Sequence, residues 1–186
     1  PAASAPKTID FSEGEKQWEN VSPNYINPKG STPIRNYPGF GSVYYKNTTG
    51  KNDIINAKVA RDNDYIYFFA KCSNVIVDKD NDNCMVLFID TDRSKKTGWE
   101  GYDYRIAGKE LQKCTGGFNW EKAASVKKSI EGDFVQIAIK KSDLNLGESF
   151  DIEFKWSDNM QEADAMDFYV NGCCAPIGRF NYRYKV

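Results

Sequence analysis

Two stretches of this chain, Tyr65-Ile66-Tyr67-Phe68-Phe69-Ala70 and Met85-Val86-Leu87-Phe88-Ile89, are apolar at every position. Runs of that length, rich in aromatic and β-branched residues, read as strands buried on both sides. Neither approaches the roughly 20 apolar residues of a membrane helix, so membrane insertion is excluded. Asn52 to Arg61 alternates, with Ile55, Ala57 and Val59 on one face and Ile54, Asn56 and Lys58 on the other. The turn Asp62-Asn63-Asp64 links it to the Tyr65–Cys72 run as a hairpin. Val135, Ile137 and Ile139 share one face of Phe134–Lys140, and Phe150, Ile152, Phe154 and Trp156 share one face of the next segment. Ser142 to Gly147 has room for one helical turn. No amphipathic helical pattern and no internal repeat is visible. The expectation is an all-β fold, an antiparallel β-sandwich of jelly-roll or immunoglobulin-like kind. Its core should hold Ile55, Val59, Tyr67, Phe69, Leu87, Ile137, Ile139, Ile152, Phe154 and Trp156.

Histidine is absent from all 186 residues. Without imidazole there is no Ser-His-Asp or Cys-His nucleophile and no His-bearing zinc, haem or iron site. Enzymatic alternatives shrink to carboxylate- or Tyr/Lys-based glycosidases and lyases, which need two acids roughly 5–10 Å apart across a cleft. No such pair is marked in the sequence. Net charge is −1, from 25 Lys plus Arg against 26 Asp plus Glu, which argues against nucleic acid as a partner. The cysteines are Cys72, Cys84, Cys114, Cys173 and Cys174, an odd count with no CxxC pair. A Cys72–Cys84 hairpin disulfide and free buried thiols are the alternatives. Pro1 to Pro6 reads as a linker remnant, leaving 7–186 as a single domain, part of a larger chain.

Two acidic clusters flank the Met85–Ile89 run. Asp78, Asp80 and Asp82 precede it; Asp90, Asp92 and, a loop later, Asp103 follow. Oxygen-only ligands of this kind suit calcium. An EF-hand is rejected because Asn83 replaces its glycine and Ile89 its closing Glu. The first cluster also reads as solvated Asp/Asn turns, the second as a metal site or polar network. Aromatics make up 14% of the chain, enough to supply both strands and a sugar-stacking surface. Trp156 shares the parity of core residues, and Trp18 reads as a packing anchor. Trp99 follows a glycine in a polar loop near Arg93, Glu100 and Asp103, the pattern of an exposed platform or a structural plug. Trp120 sits beside a Gly-Gly turn and fits either role, with Tyr102 and Tyr104 as neighbouring candidates.

Asp53 to Ala60, Asp64-Tyr65-Ile66-Tyr67 and Val86-Leu87-Phe88-Ile89-Asp90 together resemble the core of family 9 carbohydrate-binding modules. Asp10-Phe11-Ser12-Glu13 to Trp18 fits the family's opening. Lys96-Thr97-Gly98-Trp99-Glu100-Gly101-Tyr102-Asp103-Tyr104-Arg105-Ile106 is similar to its "T-G-aromatic" continuation. Phe154 to Met160 and Gly178-Arg179-Phe180-Asn181-Tyr182 look like related modules of bacterial polysaccharide-degrading proteins. The resemblance implies a non-catalytic module that binds a polysaccharide or oligosaccharide and calcium, in an extracellular, cell-surface or periplasmic setting. The alternative is a ligand-free structural or adhesive accessory domain. The family's two clamping tryptophans are replaced: their places fall near Asp80 and at Cys174, so the sugar specificity that goes with the clamp is not carried over.

Overall fold

The structure, a computed structural model, describes residues 2–31, 34–48 and 52–186. Strands come first as β1 (Asn24–Ile26), then the hairpin β2 (Arg35–Pro38) and β3 (Tyr44–Asn47), then β4 (Ile54–Arg61) and β5 (Tyr65–Cys72). Next are β6 (Val86–Asp90), β7 (Tyr104–Ala107), β8 (Glu110–Gly116), β9 (Asn119–Ser125), β10 (Lys127–Glu131) and β11 (Phe134–Lys140). The chain closes with β12 (Asp151–Asp158), a single helical turn α1 (Asp167–Val170), β13 (Cys173–Ala175) and β14 (Tyr182–Lys185). One sheet has the order β1-β4-β5-β11-β10; the larger has β13-β12-β6-β7-β8-β9, with β14 also on β12. All pairings are antiparallel. The fold is thus an all-β, sandwich-like arrangement.

Between the sheets lies one core of Ala57, Val59, Ile66, Phe68, Leu87, Ile89, Ile137, Ile139, Ile152, Phe154 and Trp156, all essentially buried. The fully apolar runs owe their composition to a second covering on each sheet's outer face. Tyr67 and Phe69 point away from the main core, into a layer formed by Ile9, Phe11, Trp18 and Val21. Trp18 packs 5.1 Å from Phe69, and its indole N–H donates to Gln136 Oε1 at 2.8 Å. On the larger sheet, Val86 and Phe88 face outward into a third apolar group. A strand with both faces covered carries no polar alternation.

Ile55 corrects the parity read from the sequence. A β-bulge lies between Ile54 and Asn56 on β4: Ile54 pairs with Cys72 and Asn56 with Lys71. The extra residue shifts the side-chain alternation, so Ile54 is fully buried in the core while Ile55 is only half-buried. Tyr67 and Phe69 are buried as expected, but in the outer layer.

Helices are short. Residues Phe11–Trp18 form a 3-10 segment interrupted at Gly14 (φ +63°) and capped by Asp10, whose carboxylate accepts from Ser12 N–H at 2.9 Å. The expected turn near Ser142 is a 3-10 helix, Lys141–Leu144. Among the described residues, no helix is long and apolar enough to cross a membrane. Of the segment read as a linker, Pro1 lies outside the described residues. Ala3 packs against the core, and Ser4 N–H donates to Ser22 O at 3.0 Å. The Cys72–Cys84 disulfide is not formed; Cys72 is a buried thiol whose sulfur meets Met85 Sδ at 3.9 Å.

The bulge makes a direct prediction. Ile54→Ala should cost about 2–5 kcal/mol in chemical denaturation. Ile55→Ala should cost less than about 1.5 kcal/mol; equal costs would mean the unbulged register.

Candidate functional site

The outer face of the larger sheet carries the chemistry. From β6, Val86 and Phe88 point outward, and Asp90 follows on the same face. Phe88 is the hub of an aromatic floor: Trp99, Tyr102 and Phe168 have ring centroids 5.6, 5.3 and 5.4 Å from it. The loop after Asp90 folds back to deliver two of these rings. Trp99 N–H donates to Tyr102 O at 3.0 Å, and Tyr102 N–H to Trp99 O at 2.8 Å. That close return requires Gly98, at φ +64°, because a Cβ there would lie 2.1 Å from Tyr102 O.

Trp99 is therefore not the exposed platform that its polar neighbours suggested. It is 7% exposed and sits edge-on to Phe118 at 4.7 Å. Tyr102 is buried beside it, its hydroxyl donating to Asn181 Oδ1 at 2.7 Å; burial pushes this phenol well above the usual range. Tyr104 faces the other way, into the inter-sheet core, and its hydroxyl accepts from Asn145 at 3.2 Å. Trp120 lies half-buried under the Arg105 guanidinium, 4.9 Å from its ring centroid. Arg93 reaches Asp151 at 3.1 Å and Glu153 at 3.5 Å. The exposed Glu100 does border a hollow, as Tyr102 does.

Two adjoining hollows of about 370 Å³ each run over this floor. Phe168, Tyr169 and Gly178 border both. One is walled by Tyr37 and Tyr45 of the β2–β3 hairpin, with Arg35 and Cys174. The other is rimmed by Lys95, Glu100, Lys155, Arg179 and Asn181. Tyr37 and Tyr45 lie 5.5 Å apart, and the Tyr45 ring covers Gly39, where a Cβ would come within 2.5 Å of it. Arg35 donates to Tyr169 O, tying the hairpin to α1. Lys155 is buried, against its outward polar parity, because the C-terminal segment covers it: Nζ donates to Pro176 O at 2.6 Å and Gly178 O at 3.1 Å. Burial holds its pKa below the usual lysine range. Tyr37, Tyr45 and Tyr169 escaped the sequence reading; for Tyr37 and Tyr45 the signal was the tyrosine-rich stretch before Gly50, and Tyr169 had none.

Beside the second hollow, carboxylate oxygens of Asp90, Asp92 and Asp103 lie within 4.8 Å of one another. Asp92 accepts from Ser94 N–H at 2.8 Å and from the Thr97 hydroxyl at 2.9 Å. Asp103 accepts from the Thr91 N–H and hydroxyl at 2.8 and 2.9 Å. Asp90 is fully buried, and among the described residues no side-chain hydroxyl, amide or guanidinium donates to its oxygens; the Lys95 ammonium and the Arg93 backbone N–H are what favour its charge. Lys95 Nζ stands 3.5 Å from its Oδ2. Burial is the leading cause that pushes the Asp90 carboxyl up to about 6, opposed by the Lys95 charge. An acidic oxygen-only set that includes one fully buried carboxylate short of side-chain donors fits a hard divalent cation. Among the described residues, Asp78, Asp80 and Asp82 form no such group.

No protein-family model, curated protein or solved structure matches the chain.

Two predictions test the geometry. Trp99→Ala should lower stability by about 3–5 kcal/mol, read by denaturation, since it empties a packed aromatic site. Asp90→Asn should raise the melting temperature of chelator-treated protein at pH 7. Because the Asp90 carboxyl titrates above the ordinary carboxylate range in the fold, ionisation penalises the folded state as pH rises from about 4 through about 6. The gain from Asn should therefore fade toward pH 4. Lys95, Glu153, Asp92 and Asp103 face the same group, so the comparison is made against wild type at each pH.

Proposed function

We propose that this protein is a non-catalytic carbohydrate-binding module whose ligand, a polysaccharide or oligosaccharide, lies in the groove between the β2–β3 hairpin and α1. The observation that carries this reading is the combination of accessible tyrosine rings, Tyr37, Tyr45 and Tyr169, with a polar rim that includes Glu100, Arg179 and Asn181. Sugar rings offer apolar C–H faces to aromatic planes and hydroxyls to charged or amide groups. The replacement of the family's second tryptophan by Cys174 fits this arrangement. Cys174 lies against the first hollow, where Tyr37 and Tyr45 supply the aromatic surface. Calcium, held by Asp90, Asp92 and Asp103, would neutralise the buried carboxylate and fasten the loop carrying Trp99 and Tyr102. Such a module would target a larger polysaccharide-degrading protein, in an extracellular, cell-surface or periplasmic setting.

One observation favours the structural or adhesive alternative. Phe40, 98% exposed at the hairpin tip, stands with the exposed Ile34 and Tyr44 as apolar surface available for contact.

The two are separated by affinity electrophoresis in gels containing xylan, β-glucan, galactomannan or polygalacturonate. Wild type should be retarded by at least one. Stacking of a flat ligand on an aromatic ring is worth about 1–3 kcal/mol, taking base stacking as the guide. Tyr37→Ala should then weaken retardation about five- to 150-fold. Its melting temperature should hardly change, because Tyr37 is half exposed. Retardation that survives Tyr37→Ala and Tyr169→Ala would move the ligand elsewhere; no retardation in any gel would favour the adhesive reading.

A further inference from the structure

Lys95 links the acidic cluster to the groove. Its ammonium lies 3.5 Å from Asp90 Oδ2 and 3.7 Å from Glu153 Oε2, and 5.6 Å from the Tyr102 ring centroid. Its side chain also borders the second hollow and is 60% exposed, so its stem is free to swing. Gly101, at φ +93°, makes the contact possible: a Cβ there would fall 2.8 Å from Lys95 Cδ and 3.2 Å from Asp90 Oδ2.

We propose that Lys95 is an exchangeable counter-cation of Asp90, mutually exclusive with a divalent cation at the Asp90–Asp92–Asp103 cluster. The inference rests on the cation reading above and adds its regulation. Among the described residues no side-chain hydrogen bond shares the Asp90 charge; the ammonium at Oδ2 is the larger influence that balances it, beside the Arg93 backbone N–H. A dication at the same carboxylate supplies that charge and repels the ammonium at close range in a poorly solvated setting. Lys95 then shifts toward Glu153 and the groove. Cation binding and groove binding are thereby coupled, and the coupling is reciprocal.

The test uses Ca²⁺ titrated calorimetrically into the intact protein, with Lys95→Met retaining the apolar stem. Lys95→Met should bind Ca²⁺ about tenfold more tightly than wild type, and Asp90→Asn should lose binding. In parallel, acetylation of Lys95 by an N-hydroxysuccinimide ester, read by peptide mass spectrometry, should rise when Ca²⁺ is added. If wild type binds Ca²⁺ but Lys95→Met binds no more tightly and Lys95 acetylation is unchanged, the exchange is overturned while the cation site stands. If neither wild type nor Lys95→Met binds Ca²⁺, the cation site itself is wrong and the exchange falls with it.

Discussion

The architecture depends on burying both faces of β5 and β6. Phe68 and Leu87 meet in the inter-sheet core, while Phe69 and Phe88 demand separate coverings outside it. An uncovered phenylalanine face leaves about 1.5–3 kcal/mol per side chain unrealised. Each outer layer satisfies that demand with chain from outside the sheet. The N-terminal segment brings Trp18 onto Phe69; the loop after β6 and the segment around α1 bring Trp99, Tyr102 and Phe168 onto Phe88. The groove is the upper surface of that second covering.

This origin gives the candidate site its character. Its floor is rigid because it is core, and the polar groups sit where the covering ends. Asp151, Glu153, Arg93 and Arg183 form a partly exposed ion-pair network over β12 and β14, with Arg183 Nη2 2.6 Å from Asp151 Oδ2. Such pairs are individually weak in water but fix side-chain positions near the groove. Asp90 differs from them in being fully buried, with the Lys95 ammonium and the Arg93 backbone N–H to favour its charge. A buried carboxylate short of donors is costly to stability, which is why it marks a place where a cation has work to do.

Most of the fold was legible in the residues. β5 and β11 begin and end where the pattern placed them, and Trp156 and Phe154 are core as their parity required. The bulge at Ile54 was not legible, since one inserted residue leaves no compositional trace. Nor were β8 and β9, whose mostly polar sequences lack apolar alternation. The site was harder. Asp90, Asp92 and Asp103 were readable because one strand end and its loop bring them together. Trp99 misled because polar neighbours say nothing of a turn that folds the indole inward, and Tyr37 and Tyr45 come from a hairpin more than 100 residues from Tyr169.

Amide shift mapping by NMR, during titration with soluble oligosaccharides from plant cell-wall xylan, β-glucan and pectin, tests the placement of the ligand most directly. Shifts concentrated at Arg35–Tyr37, Tyr45, Met166–Tyr169 and Gly178–Asn181 are the predicted result. Shifts confined to the separate hollow lined by Asn63 to Tyr65, Lys140 to Ser142 and Leu146 to Glu148, or none with any oligosaccharide, would contradict the account.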